Sequence, residues 1–315
     1  MSEISKRFLN TFPPDDFMEH SYYMAEDPVM IWGNLYFVGN SWCSSHLIDT
    51  GEGLILLDTG CRAELPWLLD SIWRLGFNPH EIKKIIISHA HHDHYGAARS
   101  LVYLTGAKTY ISRVDGEDML ASSERIDKMN HQRIPPDEVF QADILLDDGD
   151  IIELGNTKIR CVLTPGHTVG VMSHFWDVYR GNESKHVGIY GGAGFGMLSE
   201  KSLRHNGMPQ YLRKSFLDSI DKVWDENVDI MLGNHPCHND TFIKAARLTS
   251  GDAEAFVDPD EWKRFLLEMR NSYNKFLSLS DEEDKELFEN SGFLNFCGIN
   301  ARSQIQYHAG HFVHA

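Results

Sequence analysis

The chain has 315 residues, 46 of them acidic and 29 basic, for a formal charge of −17. That balance, with no Lys/Arg block to offset it locally, opposes binding to a phosphate backbone and argues against nucleic acid as a partner. Hydrophobic residues at 42 % and charged residues at 24 % describe one compact globular body with a substantial core rather than a disordered chain.

The first residues, MSEISKRFLNTFPPDDF, hold no apolar stretch of signal-peptide length. No run approaches the roughly 18 apolar residues of a membrane span. Cys43, Cys61, Cys161, Cys237 and Cys297 are odd in number, widely spaced and without a CxxC pair. The expectation is a cytoplasmic protein with free thiols and no membrane contact.

From Met30 to Leu57 short β-rich runs (MIWGNLYFVGN, SSHLIDTGEG, LILLDTG) are broken by turn signals and predict antiparallel strands. Leu65, Leu68, Leu69, Ile72 and Leu75 then recur at helical spacing, followed by a strand at IIIS and a helix over Tyr95 to Leu104. Around Asp143 the β texture returns in ADILLDDGDIIELG, TKIRCVLTPGH, VMSHFWDV and HVGIYGG, and a helix from Tyr211 to Trp224 precedes the strand VDIML. Two rounds of strands followed by helices predict an α/β fold of two packed sheets with helices outside, a four-layer αββα sandwich. A C-terminal helical extension follows. Asp258 caps it, Pro259 occupies its first turn, and Trp262, Phe265, Leu266, Met269, Tyr273, Phe276 and Leu277 form one apolar face. Ser280 and Glu283 make a capping box for a shorter acidic helix through Phe288. The domain reading is thus a body over 1–279, with an acidic helix and tail over 280–315 that packs on the body or on a second subunit. A homo-oligomer stays open on this reading.

The stretch SHAHHDHYG, residues 88 to 96, directly follows the apolar run of the central strand. Its spacing is H-x-H-x-D-H, on His89, His91, Asp93 and His94. Alternation on a loop leaving a strand end sends His89 and His91 toward one ion and Asp93 and His94 toward a neighbouring one. Imidazole with carboxylate suits Zn²⁺, with iron or manganese as alternatives. One loop cannot complete two coordination spheres. Two further histidines stand where a β segment stops in a small-residue turn, His167 in TPGHTVG and His235 in GNHP.

The order HAHHDH, PGHT and a terminal HP resembles the metallo-β-lactamase superfamily. Residues 30 to 279 are most similar to its third β-lactamase subclass, through IWGNLYFVGN, LILLDTG, SHAHHDH, LTPGHTVG, IMLGNHP and FVDPDEW in that order. The resemblance implies two Zn²⁺ per chain: His89, His91 and His167 on the first, Asp93, His94 and His235 on the second. It implies that Asp58, in the LLDTG turn, fixes ligand geometry by hydrogen bonding. It also implies hydrolysis of a small amide, lactam or ester by a hydroxide shared between the metals, with Asp93 as the catalytic residue that orients it.

The sequence departs from the families it resembles in two respects: lactamases of this type are usually exported, whereas no export signal is expected here, and one segment lacks the families' residues. Hydrolases of the glyoxalase II and lactonase type carry a metal-bridging aspartate in a Gly-Asp turn, and the third-subclass lactamases usually place a serine in this region. Here the segment reads YGGAGFG, Tyr190 to Gly196. A lactonase, esterase or thioester hydrolase of the same fold is the alternative, with an iron-dependent oxidoreductase behind it. Trp32, Trp42, His131, Phe195, His238 and Asn239 lie in or near the metal loops and are candidates to line a pocket for a small-molecule substrate, with Ser122 to Pro136 as a candidate lid.

Overall fold

The computed structural model describes residues 4–9, 21–121, 139–280 and 282–283. Its first sheet runs in sequence order: β1 (Val29–Trp32), β2 (Leu35–Phe37), β3 (His46–Asp49), β4 (Leu54–Leu57), β5 (Ile82–Ile86), β6 (Lys108–Ser112) and β7 (Ile144–Leu146). Pairing is antiparallel from β1 to β4 and parallel from β4 to β7. The second sheet holds β8 (Ile151–Leu154), β9 (Thr157–Leu163), β10 (Met172–Arg180), β11 (Glu183–Ile189) and β12 (Ile230–Leu232), in the order β12-β11-β10-β9-β8. The described α-helices are α1 (Leu65–Arg74), α2 (His92–Tyr95), α3 (Ala98–Thr105), α4 (Arg113–Ala121), α5 (Glu200–His205), α6 (Leu212–Lys222), α7 (Thr241–Thr249) and α8 (Glu261–Leu277), with short 3-10 turns beside them.

The period of two along each strand divides its side chains between two apolar layers. Ile48, Ile55 and Ile86 point between the sheets, where they meet Ile159, Trp176, Val187 and Ile230 of the second sheet. Their neighbours Leu47, Leu56 and Ile85 point outward onto Leu68 and Ile72 of α1 and Leu101 of α3. On the far side, Phe175 and Met231 face Leu212 and Phe216 of α6 and Trp262, Phe265 and Met269 of α8. Three apolar interfaces therefore stack four layers, as the strand-and-helix alternation predicts. The apolar face of α8 closes onto its own body, and Trp262 anchors it by donating from Nε1 to the Val223 carbonyl at 2.9 Å.

Local boundaries differ from the sequence reading in two places. The helix expected over Tyr95 to Leu104 is divided: α2 is a single turn that carries Asp93 and His94, and α3 begins at Ala98. Asp93 and His94 thus project from a helical turn rather than a loop. Asp258 does not cap α8 directly. It accepts from the Asp260 backbone at 3.1 Å and pairs with Arg264, so the helix starts at Glu261. The Ser280–Glu283 capping box is present, with both the Ser280 backbone and hydroxyl donating to Glu283 Oε2. The remainder of the expected acidic helix, the tail, His131 and the whole Ser122 to Pro136 segment lie outside the described residues.

Strand direction decides where function can sit. β4 and β5 are parallel, so Asp58 and Ser88 leave the first sheet at the same end. β9 and β12 both run with β11, so the turns after residues 163, 189 and 232 leave the second sheet together. A bond from Met172 N to Ser88 O, 2.9 Å, joins the two sheets at that end.

Candidate metal centre

His89, His91 and His167 converge at this common edge, their ligand atoms all within 4.8 Å of one another. Their rings stand at steep angles, with centroids 4.8, 4.7 and 4.5 Å apart for the pairs His89–His91, His89–His167 and His91–His167. Beside them, Asp93 Oδ2 lies 3.4 Å from His94 Nε2 and 3.6 Å from His235 Nε2. Those are close to the edges, about 3.3–3.5 Å, of a tetrahedron drawn around zinc with ordinary bond lengths. The His89 and His94 rings, 4.1 Å apart, bring the two triads into contact.

The partners of the Nδ1 atoms assign the tautomers and leave Nε2 free to face an ion. His94 Nδ1 donates to Asp58 Oδ2 at 2.9 Å, His235 Nδ1 to the Trp42 carbonyl at 2.6 Å, and His167 Nδ1 to the Gly194 carbonyl at 2.5 Å. His89 Nδ1 lies 3.0 Å from Ser88 Oγ, whose own proton goes to Asp58 Oδ2 at 2.7 Å. Nε2 of His89 and of His94 are then buried without any hydrogen-bond partner. A buried imidazole nitrogen left bare costs free energy unless something ligates it. The donor set fits a metal.

Electrostatics agree. Burial holds His89 and His167 well below the ordinary histidine pKa and His91 at about 4, which keeps them in the neutral, ligating form. Burial alone would raise the Asp93 carboxyl, but His94, His235 and His91 overcome it and hold it well below the usual carboxylate range. Burial likewise opposes a proton on His94, yet Cys43, Asp93 and Asp58 outweigh it and push that pKa well up.

Cys43, Asp93 and His94 also cluster closely enough to hold an ion. The Cys43 thiol engages His94 through Nδ1, at 3.5 Å, on the nitrogen already bonded to Asp58, and its Sγ also lies 3.8 Å from the carbonyls of Ser44 and Asn234. The facing Nε2 atoms of His94 and His235 make the better second triad. His92 turns the other way, with Nδ1 at 3.4 Å from Cys61 Sγ.

Asp58 is built into this edge. It is 1 % exposed, adopts φ +58°, a conformation in which aspartate is among the few tolerated non-glycine residues, and accepts from the Ser88 backbone at 2.7 Å as well as from Ser88 Oγ and His94. In the Pro-Gly-His turn, Gly166 sits at φ +154° against Phe216, where a Cβ would approach the ring to 2.7 Å. Only glycine brings His167 this close to the packed α6 layer.

A model of the metallo-β-lactamase superfamily matches residues 40–180, which contain Asp58, the HxHxDH stretch and His167. The solved structure of native FEZ-1 metallo-β-lactamase from Legionella gormanii superposes with a TM-score of 0.72 at 28 % identity, over 81 % of this chain and 96 % of that one. The chain is similar to the metallo-β-lactamase superfamily in both sequence and fold. BJP-1, a subclass B3 metallo-β-lactamase of Bradyrhizobium japonicum, is similar with TM-score 0.72 and 25 % identity, over 85 % of this chain and 98 % of that one. Curated relatives match over shorter stretches. The probable polyketide biosynthesis zinc-dependent hydrolase PksB of Bacillus subtilis is 28 % identical over 30 % of this chain and 35 % of its own length. A hydroxyacylglutathione hydrolase of Maricaulis maris is 29 % identical over 39 % and 34 %. The match spans about a third of the length of these curated relatives.

The edge that gathers the six candidate ligands does not gather every residue that the sequence offers as a pocket wall. Trp32, 2 % exposed, lies at the opposite end of β1, donating from Nε1 toward Glu254 beneath the Arg180 guanidinium. Phe195 is fully buried among Phe8, Phe216, Tyr273 and Phe276. Asn239 is sealed in a turn, donating to the Met231 carbonyl and accepting from Thr241. His238 is buried behind His235, with its ring nitrogens at 2.8 Å from Asn234 Oδ1 and 2.9 Å from the Arg7 carbonyl. None of these four is a pocket wall, because their polar atoms and surfaces are already taken up by the protein. Trp42 is half-buried, with its ring 6.4 Å from that of His235.

Two buried acids that the sequence reading passes over act on the same edge. Asp115 accepts from the Ala90 backbone at 2.8 Å and from Thr168 Oγ1 at 2.7 Å. Glu64 accepts from the Cys61 backbone at 2.7 Å and from Asn40 Nδ2. Asn40 in turn accepts from the Trp42 and Cys43 backbones, both at 2.7 Å, fixing the loop whose carbonyl holds His235. Nothing in the spacing of Asp115 or Glu64 sets them apart from surface acids; only the fold reveals their targets.

Proposed function

We propose that this chain is a binuclear zinc hydrolase that cleaves a small amide, lactam or ester, with His89, His91 and His167 holding one ion and Asp93, His94 and His235 the other. The observation that carries the reading is the contact of two complete triads across the His89–His94 pair, with bare Nε2 atoms on both residues. When bound, zinc supplies Lewis acidity and an activated water at neutral pH.

The chain's own residues supply the rest. Asp93, ionised and half-buried within the second triad, accepts a proton-bearing group and orients it toward the scissile carbonyl. Asp58 and the Trp42 carbonyl lock His94 and His235, so that little reorganisation is needed as charge develops. Trp42 forms part of the substrate wall. Cyclic amides lead among substrates because the ligand set is of the lactamase type and the segment Tyr190 to Gly196 carries no carboxylate. Residence in the cytoplasm belongs to the same proposal. Among the described residues no helix is long and apolar enough to cross a membrane.

The test is a side-by-side turnover screen of chromogenic β-lactams, lactones, aryl esters and thioesters with zinc-loaded protein, using Asp93→Ala as the control. Turnover of at least one class that collapses in the variant is expected. Equal activity in both proteins, or none toward any class, overturns the proposal.

A further inference from the structure

The three histidines of the first triad come from two separate loops, one leaving β5 and one leaving β9. The His89 and His167 imidazoles are oriented separately, through Ser88 and the Gly194 carbonyl, but these bonds do not fix the gap between the loops. Asp115 spans that gap. It lies at the start of α4, 1 % exposed, with its own backbone N–H held by Ser112 Oγ at 3.1 Å. Its Oδ2 accepts from Ala90 N, the residue between His89 and His91, and from Thr168 Oγ1, the residue after His167. The approach is close on the His167 side: a Cβ at Gly170 would come within 2.7 Å of Asp115 Oδ1 and 2.5 Å of Asp115 N, so only glycine fits. Together with the Ser88–Met172 backbone bond, this carboxylate ties the two ligand loops to each other.

We propose that Asp115 is a positioning residue that sets the separation of the His89–His91 loop from the His167 loop, and through it the affinity of the first metal site, without touching the ion or the substrate. The inference rests on the two-triad reading above. A carboxylate oxygen can accept two hydrogen bonds at once in a fixed fork, whereas an amide placed there presents either its oxygen or its NH₂ to the two donors and loses the geometry or the charge. His94 and His235 are held by Asp58 and the Trp42 carbonyl, which Asp115 does not contact, so the larger effect falls on the first site.

The experiment measures stepwise Zn²⁺ affinity by competition with a chromophoric chelator, together with the visible d–d spectrum of the Co²⁺-substituted protein, in wild type, Asp115→Asn and Thr168→Val. Asp115→Asn is expected to weaken one binding step about 10- to 100-fold, the range for lost outer partners of metal ligands, to leave the other within about threefold, and to change the Co²⁺ spectrum. Thr168→Val removes one donor and keeps the carboxylate, and a smaller loss at the same step is expected. Unchanged affinities in Thr168→Val and Asp115→Asn overturn the inference, as does equal weakening of both steps. If Asp115→Asn does not fold, the Thr168→Val result alone decides by the same criterion. A wild-type protein that binds no Zn²⁺ would instead sink the two-triad reading, so the two failures are distinct.

Discussion

Nδ1 of His94 lies 2.9 Å from Oδ2 of Asp58, and both side chains are sealed from solvent. The same carboxylate receives the Ser88 backbone and hydroxyl, so one residue on the β4 end orients a ligand of each triad: His94 directly and His89 through Ser88. Asp58→Asn keeps the shape but gives an amide that cannot accept all three donors. Loss of about 10- to 100-fold in Zn²⁺ affinity is expected, larger at the Asp93–His94–His235 site, read by stepwise chelator competition. Unaltered affinity at that site would reduce Asp58 to a turn former.

Separate anchoring predicts separate loss. His167 hangs from the Gly194 carbonyl and His235 from the Trp42 carbonyl, two loops with no shared hydrogen bond between these ligands. Elemental analysis of His167→Ala and His235→Ala after dialysis should find about one Zn²⁺ retained in each. Loss of both ions in either variant would mean the sites bind as one unit.

How much of this centre could be read beforehand follows from which signals are local. HxHxDH sits in one stretch of nine residues after an apolar strand, and His167 and His235 each end a strand, so chain order alone nominates the ligands. The four layers follow from strand periodicity, since Ile85 and Ile86 must face opposite sides. Asp115 and Glu64 gain their roles only from contacts across the fold, to Ala90 and Thr168 and to Asn40, and a lone acid in a helix start gives no hint of them. Trp32 fails as a pocket wall for a related reason. Proximity in sequence to a segment of candidate ligands does not say at which end of a strand a side chain lies.

Trp32→Ala tests that correction. The indole is buried between the sheets and stacked beneath Arg180 at 4.5 Å. Truncation is expected to cost about 3–5 kcal/mol of stability in denaturant unfolding, the usual range for a large aromatic in a core. Its KM for any substrate found in the turnover screen should stay within about twofold of wild type, because the site is at the other end of the strands. A large KM change with unaltered stability would return Trp32 to the pocket.

Glu64 makes stability depend on pH. Burial raises its carboxyl from the ordinary value to about 8, against the pull of the Cys61 backbone. The folded state therefore holds a proton that the unfolded chain releases from about pH 4.5 upward. Stability contributed by the neutral acid is fully present below the unfolded pKa and is lost as pH rises toward 8. Glu64→Gln mimics the neutral form while removing the titration. In zinc-free protein, Tm against pH should fall more steeply for wild type than for the variant between about pH 5 and 8. Parallel curves would show that Glu64 titrates as an ordinary carboxylate.

The segment Tyr190 to Gly196 offers the sharpest test of the ligand set. A Cβ at Gly191 would collide with the Met172 carbonyl, and one at Gly192 would come within 2.8 Å of His167 Cδ2 and 3.0 Å of Val171 Cγ2. The first triad is thus packed against a bare backbone, and that packing gives a physical reason why neither glycine is replaced by an aspartate. Gly192→Asp would supply a carboxylate close to the metals, as the thioester hydrolases of the fold do. Here the added side chain must first displace His167, which is held at the Gly194 carbonyl by a 2.5 Å bond and cannot retreat without losing its aim. The expected outcome is loss of about one Zn²⁺ per chain by elemental analysis and a fall in turnover of whichever class the screen identifies, with no gain toward thioesters. Should Gly192→Asp instead retain both ions and acquire thioesterase activity, His167 has more freedom than its packing implies, and the lactam-first order of substrates would have to be reversed.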